Sequence, residues 1–197
     1  MTQSRLILAS QSLARQQMLE QAGVLFESIP AHMDEKVLKK QHQNKTPQEL
    51  ARILAAAKAE KISLDHPSAF VIGSDQILVC EGQIFTKAQD TDIARENLKK
   101  LRGKTHDLIS AVTIFHQARA IWSHVDTAHM TMKNFSDNFL EFYLDRAGSI
   151  LTSCVGCYAL EQGGVRLFQQ IDGDFFTILG MPLLPLLQAL EDHQVIS

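Results

Sequence analysis

The stretch "SAFVIGSDQILVC", Ser68 to Cys80, sets the tightest constraint on the fold of this chain. Its apolar content predicts a central strand, because a strand with one wet face would alternate apolar and polar residues. Gly73-Ser74-Asp75-Gln76 interrupts the apolar run. A buried carboxylate without a partner costs several kcal/mol. Asp75 therefore needs a cation, a metal, or an open cleft where the strand ends. Gly73 lets backbone or ligand approach closely. The plainer reading makes Asp75 a turn aspartate between two short strands.

The flanking segments supply both strands and helices. "RLILAS" reads as a buried first strand, and "SLARQQMLEQAG" as a helix that Gly23 stops. Leu13, Gln17, Leu19 and Ala22 fit helical spacing there. "VLFESIPA" is predicted as a second strand. "TPQELARILAAAKAEKIS" is the clearest helix: Thr46 caps it, Pro47 fits its first position and Glu49 completes a capping box. Leu50, Ile53, Leu54 and Ala57 form its predicted buried stripe, with Lys58 projecting from the edge. "DTDIARENLKKLRG" is a helix between Asp90 and Gly103, and "SDNFLEFYLDRAG" one between Ser136 and Gly148. Two long strands, "HDLISAVTIFH" and "AIWSHVDTAHMTM", meet in a hairpin at Gln117-Ala118-Arg119. Short extended pieces are expected at Cys157–Leu160 and Val165–Gln170, and "MPLLPLLQALEDH" closes as an amphipathic helix. The order predicts an α/β fold with a mixed sheet.

The chain has 197 residues and 45% hydrophobic content, enough for one domain over 1–197 with ample core. A net charge of −3 argues against a nucleic-acid binder, while local basic clusters still suit a small anion. The N-terminus carries no signal-peptide pattern, and no apolar run reaches the ~18 residues that span a bilayer. A cytoplasmic protein without membrane association is expected. Cys80, Cys154 and Cys157 are an odd set without a disulfide framework. The Cys154–Cys157 pair has no second pair to complete a zinc site and reads as extended, so buried structural thiols are expected.

Several groups have chemical potential. Ser10 and Ser12 end the first strand where a helix begins, so backbone N–H groups and hydroxyls converge at a helix N-terminus that favours anions. Arg15, one turn inside, could add a bidentate phosphate contact. The bland alternative is a capped surface helix with an exposed arginine. Asp34 and Glu35 follow a strand, and Glu35 with Asp75 could hold a hard divalent cation such as Mg²⁺ or Mn²⁺. Lys58 and Lys87 taken singly read as surface lysines. Together, cations for a polyphosphate, a carboxylate pair for a metal and a carboxylate to prepare water suit nucleotide phosphate hydrolysis.

Seven segments in order resemble the Maf family of nucleoside triphosphate pyrophosphatases: "LASQSLAR", "DE" at 34–35, "KA" at 58–59, "IGSDQ" at 72–76, "TK" at 86–87, "LRGKTH" at 101–106 and "GDFFTILGMPL" at 173–183. The resemblance implies metal-dependent hydrolysis between the α- and β-phosphates. It also implies an elongated mixed sheet with two lobes around a cleft, related to inosine triphosphate pyrophosphatases, and a homodimer. It makes Asp75 the general base and Glu35 a metal ligand. Ser10, Ser12 and Arg15 then hold phosphates, with Lys58 and Lys87 on the charged tail. Ala14, Gln76 and Glu161 fall where the family tracks the base, and the last two look like the 7-methyl-GTP branch rather than the dTTP and UTP branch. Leu13-Ala14-Arg15 stands where the family has Pro-Arg-Arg, Lys87-Ala88 where it has Lys-Pro, and Cys154 where it has a lysine. Those departures keep a second reading open: a catalytically weakened nucleotide-binding regulator linked to cell division.

Overall fold

The computed structural model describes residues 4–197. Seven strands form one sheet in the order β2-β1-β3-β5-β6-β7, with β4 paired to β3. The strands are β1 (Leu6–Leu8), β2 (Glu27–Ser28), β3 (Phe70–Cys80), β4 (Gln83–Phe85), β5 (Thr105–His116), β6 (Arg119–Met132) and β7 (Phe168–Asp172). β1 runs parallel to both β2 and β3, whereas β4 is antiparallel to β3 and β7 to β6. Gln117 and Ala118 take φ values of +51° and +57° in the tight turn from β5 to β6. The helices are α1 (Leu13–Gln21), α2 (Glu35–Gln41), α3 (Pro47–Asp65), α4 (Thr91–Leu101), α5 (Asp137–Ala147), α6 (Ile150–Ser153), α7 (Phe175–Leu179) and α8 (Leu183–Asp192). The α/β mixed sheet expected from the sequence is present.

By its contacts the chain divides into two compact units, with β3, β5 and β6 each contributing residues to both. The first holds the residues up to Gln76, Ser110–Asp126 and Phe175–Ser197. Its central strands are covered on both faces. Leu6, Leu8 and Ile72 pack with Leu19, Leu186 and Leu190, while Ile7 and Val71 pack with Ala59 and Ile62 of α3. The second unit comprises Ile77–Ile109 and Thr127–Asp174. There His106 is buried, its Nε2 2.7 Å from the Tyr158 hydroxyl, and burial holds its pKa down to about 4.

Four expectations are corrected. β3 is one continuous strand through Gly73-Ser74-Asp75-Gln76, so no turn interrupts it. Only Glu27–Ser28 of "VLFESIPA" pairs as a strand. Asp34 and Glu35 do not simply follow a strand but open a helix: Asp34 caps α2, its carboxylate accepting from the Lys36 and Val37 amides, and Glu35 is its first residue. Cys157–Leu160 forms no strand, and Val165 lies in a 3-10 helix, Gly163–Leu167, that precedes β7. Cys80 and Cys157 are buried free thiols, as expected, while Cys154 is only partly buried. Among the described residues no helix is long and apolar enough to cross a membrane.

The contact between α3 and β3 positions everything that follows. Thr46 and Glu49 form the expected capping box. The buried face is Leu50, Ala51, Leu54, Ala55, Ala59 and Ile62, rotated from the predicted stripe so that Ile53 and Ala57 are only half-buried. Three alanines on that face let the helix come down onto the strand. A Cβ at Gly73 would stand 2.1 Å from the Ala55 carbonyl oxygen and 2.9 Å from the Ala59 Cβ. Gly73→Ala must push α3 off β3, and overpacking of this kind costs about 1–3 kcal/mol. Urea denaturation of Gly73→Ala is expected to show that loss; an unchanged midpoint would contradict the close approach.

Candidate active site

Side chains alternate faces along a strand, so Gly73 and Asp75 share one face of β3 while Ser74 and Gln76 share the other. The first face meets α3. Lys58, next to the close approach at Ala59, donates from Nζ to Asp75 Oδ1 at 2.6 Å. The same ammonium lies 2.7 Å from Oε1 of Glu35, the first residue of α2. Lys39, one turn further along α2, stands 3.6 Å from the other Glu35 oxygen. Asp75 is 5% exposed, and its Oδ2 is buried without a hydrogen-bond partner. The strand thus carries its carboxylate by pairing one oxygen with an ammonium from the covering helix. The second oxygen keeps its lone pairs for a proton or a cation.

The second face and the end of β1 are organised by Arg15. Ser12 caps α1, its hydroxyl accepting from the Arg15 amide. The Arg15 side chain, 9% exposed, turns inward. Its Nε donates to the Gly180 carbonyl at 3.0 Å and its Nη1 to the Ser74 carbonyl at 3.0 Å and Ser10 Oγ at 3.4 Å. Ser10 Oγ also accepts from the Ser12 amide. Burial lowers the Arg15 pKa from its ordinary value, against the opposing pull of Asp75 and Glu35. The guanidinium is buried rather than exposed: two of its three nitrogens donate to backbone oxygens, and Nη2 alone makes no hydrogen bond to the described residues.

Gln76 lies beside Arg15 around Gly180, whose φ is +109°. A Cβ there would come 3.4 Å from Arg15 Nη2 and 3.8 Å from Gln76 Cδ. Ser74 Oγ lies 3.0 Å from the Gly180 carbonyl and 2.9 Å from that of Ala111. The parts played by Ser74 and Gly180 were not legible in the sequence because they act through a hydroxyl and carbonyls far apart in the chain. The one available signal was the unusual polar run inside β3.

The first unit therefore brings together Ser10, Ser12, Arg15, Glu35, Lys58, Asp75 and Gln76, with Ala14 half-buried on the first turn of α1. Lys87 and Glu161 belong to the second unit, where both act electrostatically on the Cys154 thiol. Burial raises that thiol's pKa, Glu161 adding to the rise and Lys87 opposing it. Among the described residues no group of three or more His, Cys, Asp or Glu side chains could hold a metal. Glu35 and Asp75, both against the Lys58 ammonium, are a pair of carboxylates able to join a hard cation that brings its remaining oxygen ligands with it.

Residues 5–193 match the family model described as Maf-like protein. A nucleoside triphosphate pyrophosphatase from Granulibacter bethesdensis is 48% identical over 195 residues, covering 98% of this chain and 99% of the relative. One from Paramagnetospirillum magneticum is 47% identical, over 95% of this chain and 97% of its own. A 7-methyl-GTP pyrophosphatase from Brucella abortus is 43% identical, covering 98% of each. Among solved structures, a HAM1 protein from Coxiella burnetii aligns with a TM-score of 0.40 and 13% identity over 67% of this chain and 74% of its own.

Removing one partner of a buried ion pair strands the other charge, at a cost of roughly 3–5 kcal/mol. Lys58→Met is expected to show a loss of that order in urea unfolding. Asp75→Asn introduced into Lys58→Met should restore much of it, because the stranded charge is gone. A loss below about 1 kcal/mol in the single variant would mean that Asp75 does not depend on Lys58.

Proposed function

We propose that this chain, which belongs to the family of Maf-like proteins, is a nucleoside triphosphate pyrophosphatase that releases a nucleoside monophosphate and pyrophosphate. The observation that carries the reading is the Asp75 carboxylate, buried, with one oxygen on the Lys58 ammonium and the other without a donor. A water molecule against Oδ2 can give up a proton to it as it attacks phosphorus. Lys58, hydrogen-bonded to Oδ1, holds the carboxylate oriented while it does so. As the resemblance implies, Lys58 and Lys87 then act on the charged phosphate tail.

The triphosphate is held at the start of α1, where Ser10, Ser12 and the first-turn amides face an anion. The Arg15 Nη2 edge adds one cationic contact, and the rest of the guanidinium keeps the loop in shape. Glu35 and Asp75 are the carboxylates that would hold a divalent cation such as Mg²⁺ or Mn²⁺, which would take further oxygens from the phosphates. When bound, that cation neutralises phosphate charge. Ala14, Gln76 and Glu161 are assigned to the base. A cytoplasmic house-cleaning role, removing unwanted or modified nucleotides as a homodimer, completes the proposal.

The test is a panel of nucleoside triphosphates that includes 7-methyl-GTP, dTTP and UTP, each with Mg²⁺ or Mn²⁺, with products resolved by chromatography. Pyrophosphate and monophosphate in equal amounts are expected from at least one of them. Release of orthophosphate alone, or no turnover across the panel, would overturn the reading.

A further inference from the structure

Gln76 follows the proposed general base on β3, and its side-chain amide sits in an unusually complete set of acceptors. Its Nε2 lies 3.0 Å from Ser110 Oγ, 3.1 Å from the Thr177 carbonyl and 3.0 Å from the Ile178 carbonyl. While the Ser110 hydroxyl donates its hydrogen to the Thr177 carbonyl at 2.8 Å, it accepts from Gln76. Thr177 is held in turn: its hydroxyl donates to Asp126 Oδ2 at 2.7 Å. Ser110 and Thr177 are fully buried and Asp126 half-buried.

This arrangement fixes which way the amide points. Turned over, Gln76 would set its oxygen against two carbonyl oxygens, and Ser110 could donate to it only by giving up its bond to the Thr177 carbonyl. In the orientation observed, Nε2 is saturated. Oε1 makes no hydrogen bond to the described residues and does not figure among the buried unpartnered atoms, so it reaches solvent. A Cβ at Gly180 would stand 3.8 Å from the Gln76 carboxamide carbon and 3.4 Å from Arg15 Nη2, so both side chains border the same glycine. Gln76 can therefore offer a ligand an acceptor and cannot offer a donor.

We infer that Ser110, backed by Thr177 and Asp126, is a positioning residue that fixes Gln76 Oε1 as an acceptor for an N–H group on the substrate's base. The inference rests on the function proposed above and says what its base-recognising glutamine can read. A base edge carrying N–H is welcomed. An edge that presents only acceptors or a methyl group there leaves Oε1 desolvated and unpaired, which costs about a tenfold factor or more in binding.

Two nucleotide pairs test it: GTP against 1-methyl-GTP, and UTP against 3-methyl-UTP, assayed for pyrophosphate release. In the pair turned over faster, the unmodified nucleotide is expected to have a kcat/KM at least tenfold higher. Ser110→Ala should narrow that ratio below threefold by raising KM for the unmodified nucleotide, with kcat within threefold of its original value. A purely structural serine would lower stability and leave the ratio alone. Should Ser110→Ala fail to fold, Asp126→Ala loosens the same chain from its half-exposed end and is expected to narrow the ratio in the same direction. An unchanged ratio in the folded variants, or no discrimination in the natural protein, overturns the inference while leaving the pyrophosphatase reading intact. If no nucleotide yields pyrophosphate, that reading fails by itself. Calorimetry with GMP and 1-methyl-GMP then decides the inference: tenfold weaker binding of the methylated form supports it, and equal or undetectable binding of both overturns it.

Discussion

The ammonium of Lys58, between the carboxylates of Asp75 and Glu35, is the contact on which the rest of the site depends. It lets an acidic side chain sit in the middle of a covered strand. An isolated buried carboxylate would take up a proton or open the fold around itself. Here the compensating charge comes from the helix laid directly over the strand. Gly73 and three alanines of α3 let the two backbones close to a distance at which a lysine can reach. The ion pair and the small residues beneath it form one device: without the close approach, Lys58 would extend to solvent and Asp75 would be stranded.

Arg15 does a comparable task on the other face of β3. By donating to the carbonyls of Ser74 and Gly180 and to Ser10 Oγ, it ties the start of α1 to β3 and to the turn after α7. Backbone carbonyls inside a fold need partners, and a buried guanidinium supplies several at once. The desolvation that lowers its pKa is offset by the nearby acids Asp75 and Glu35. The two faces are thus coupled electrostatically as well as through the strand they share. A family that has two adjacent arginines here and a chain that has Ala14-Arg15 are reconciled on this geometry: the arginine kept is the one that holds the loops together.

Much of this was legible in the sequence where the signal is local. The capping box of α3, the Ser12, Asp90 and Ser136 caps, and the Gly23, Gly103 and Gly148 stops all lie within a turn of the residues that reveal them. The candidate residues of the first unit were named because chemistry-bearing types recur in a fixed order. What was not legible depended on distant partners. The polar run in β3 looked like a break because nothing local shows that a lysine 17 residues earlier neutralises Asp75. That Arg15 also holds backbone carbonyls was not legible because those acceptors lie 59 and 165 residues away. α2 escaped notice since "EKVLKKQ" buries no residue and so carries no apolar stripe; its cap at Asp34 stood only as one of two acids after a strand.

The central claim is that a folded β3 presents Asp75 as the base of a phosphate-hydrolysing site. The most direct measurement is the steady-state rate of pyrophosphate release by Asp75→Asn, with circular dichroism confirming the fold. The amide keeps the size of the side chain and removes its ability to take a proton. A fall in kcat of roughly 10²–10⁴-fold with an unchanged spectrum is the predicted result. A folded Asp75→Asn protein that hydrolyses the same nucleotide at close to the natural rate would contradict it.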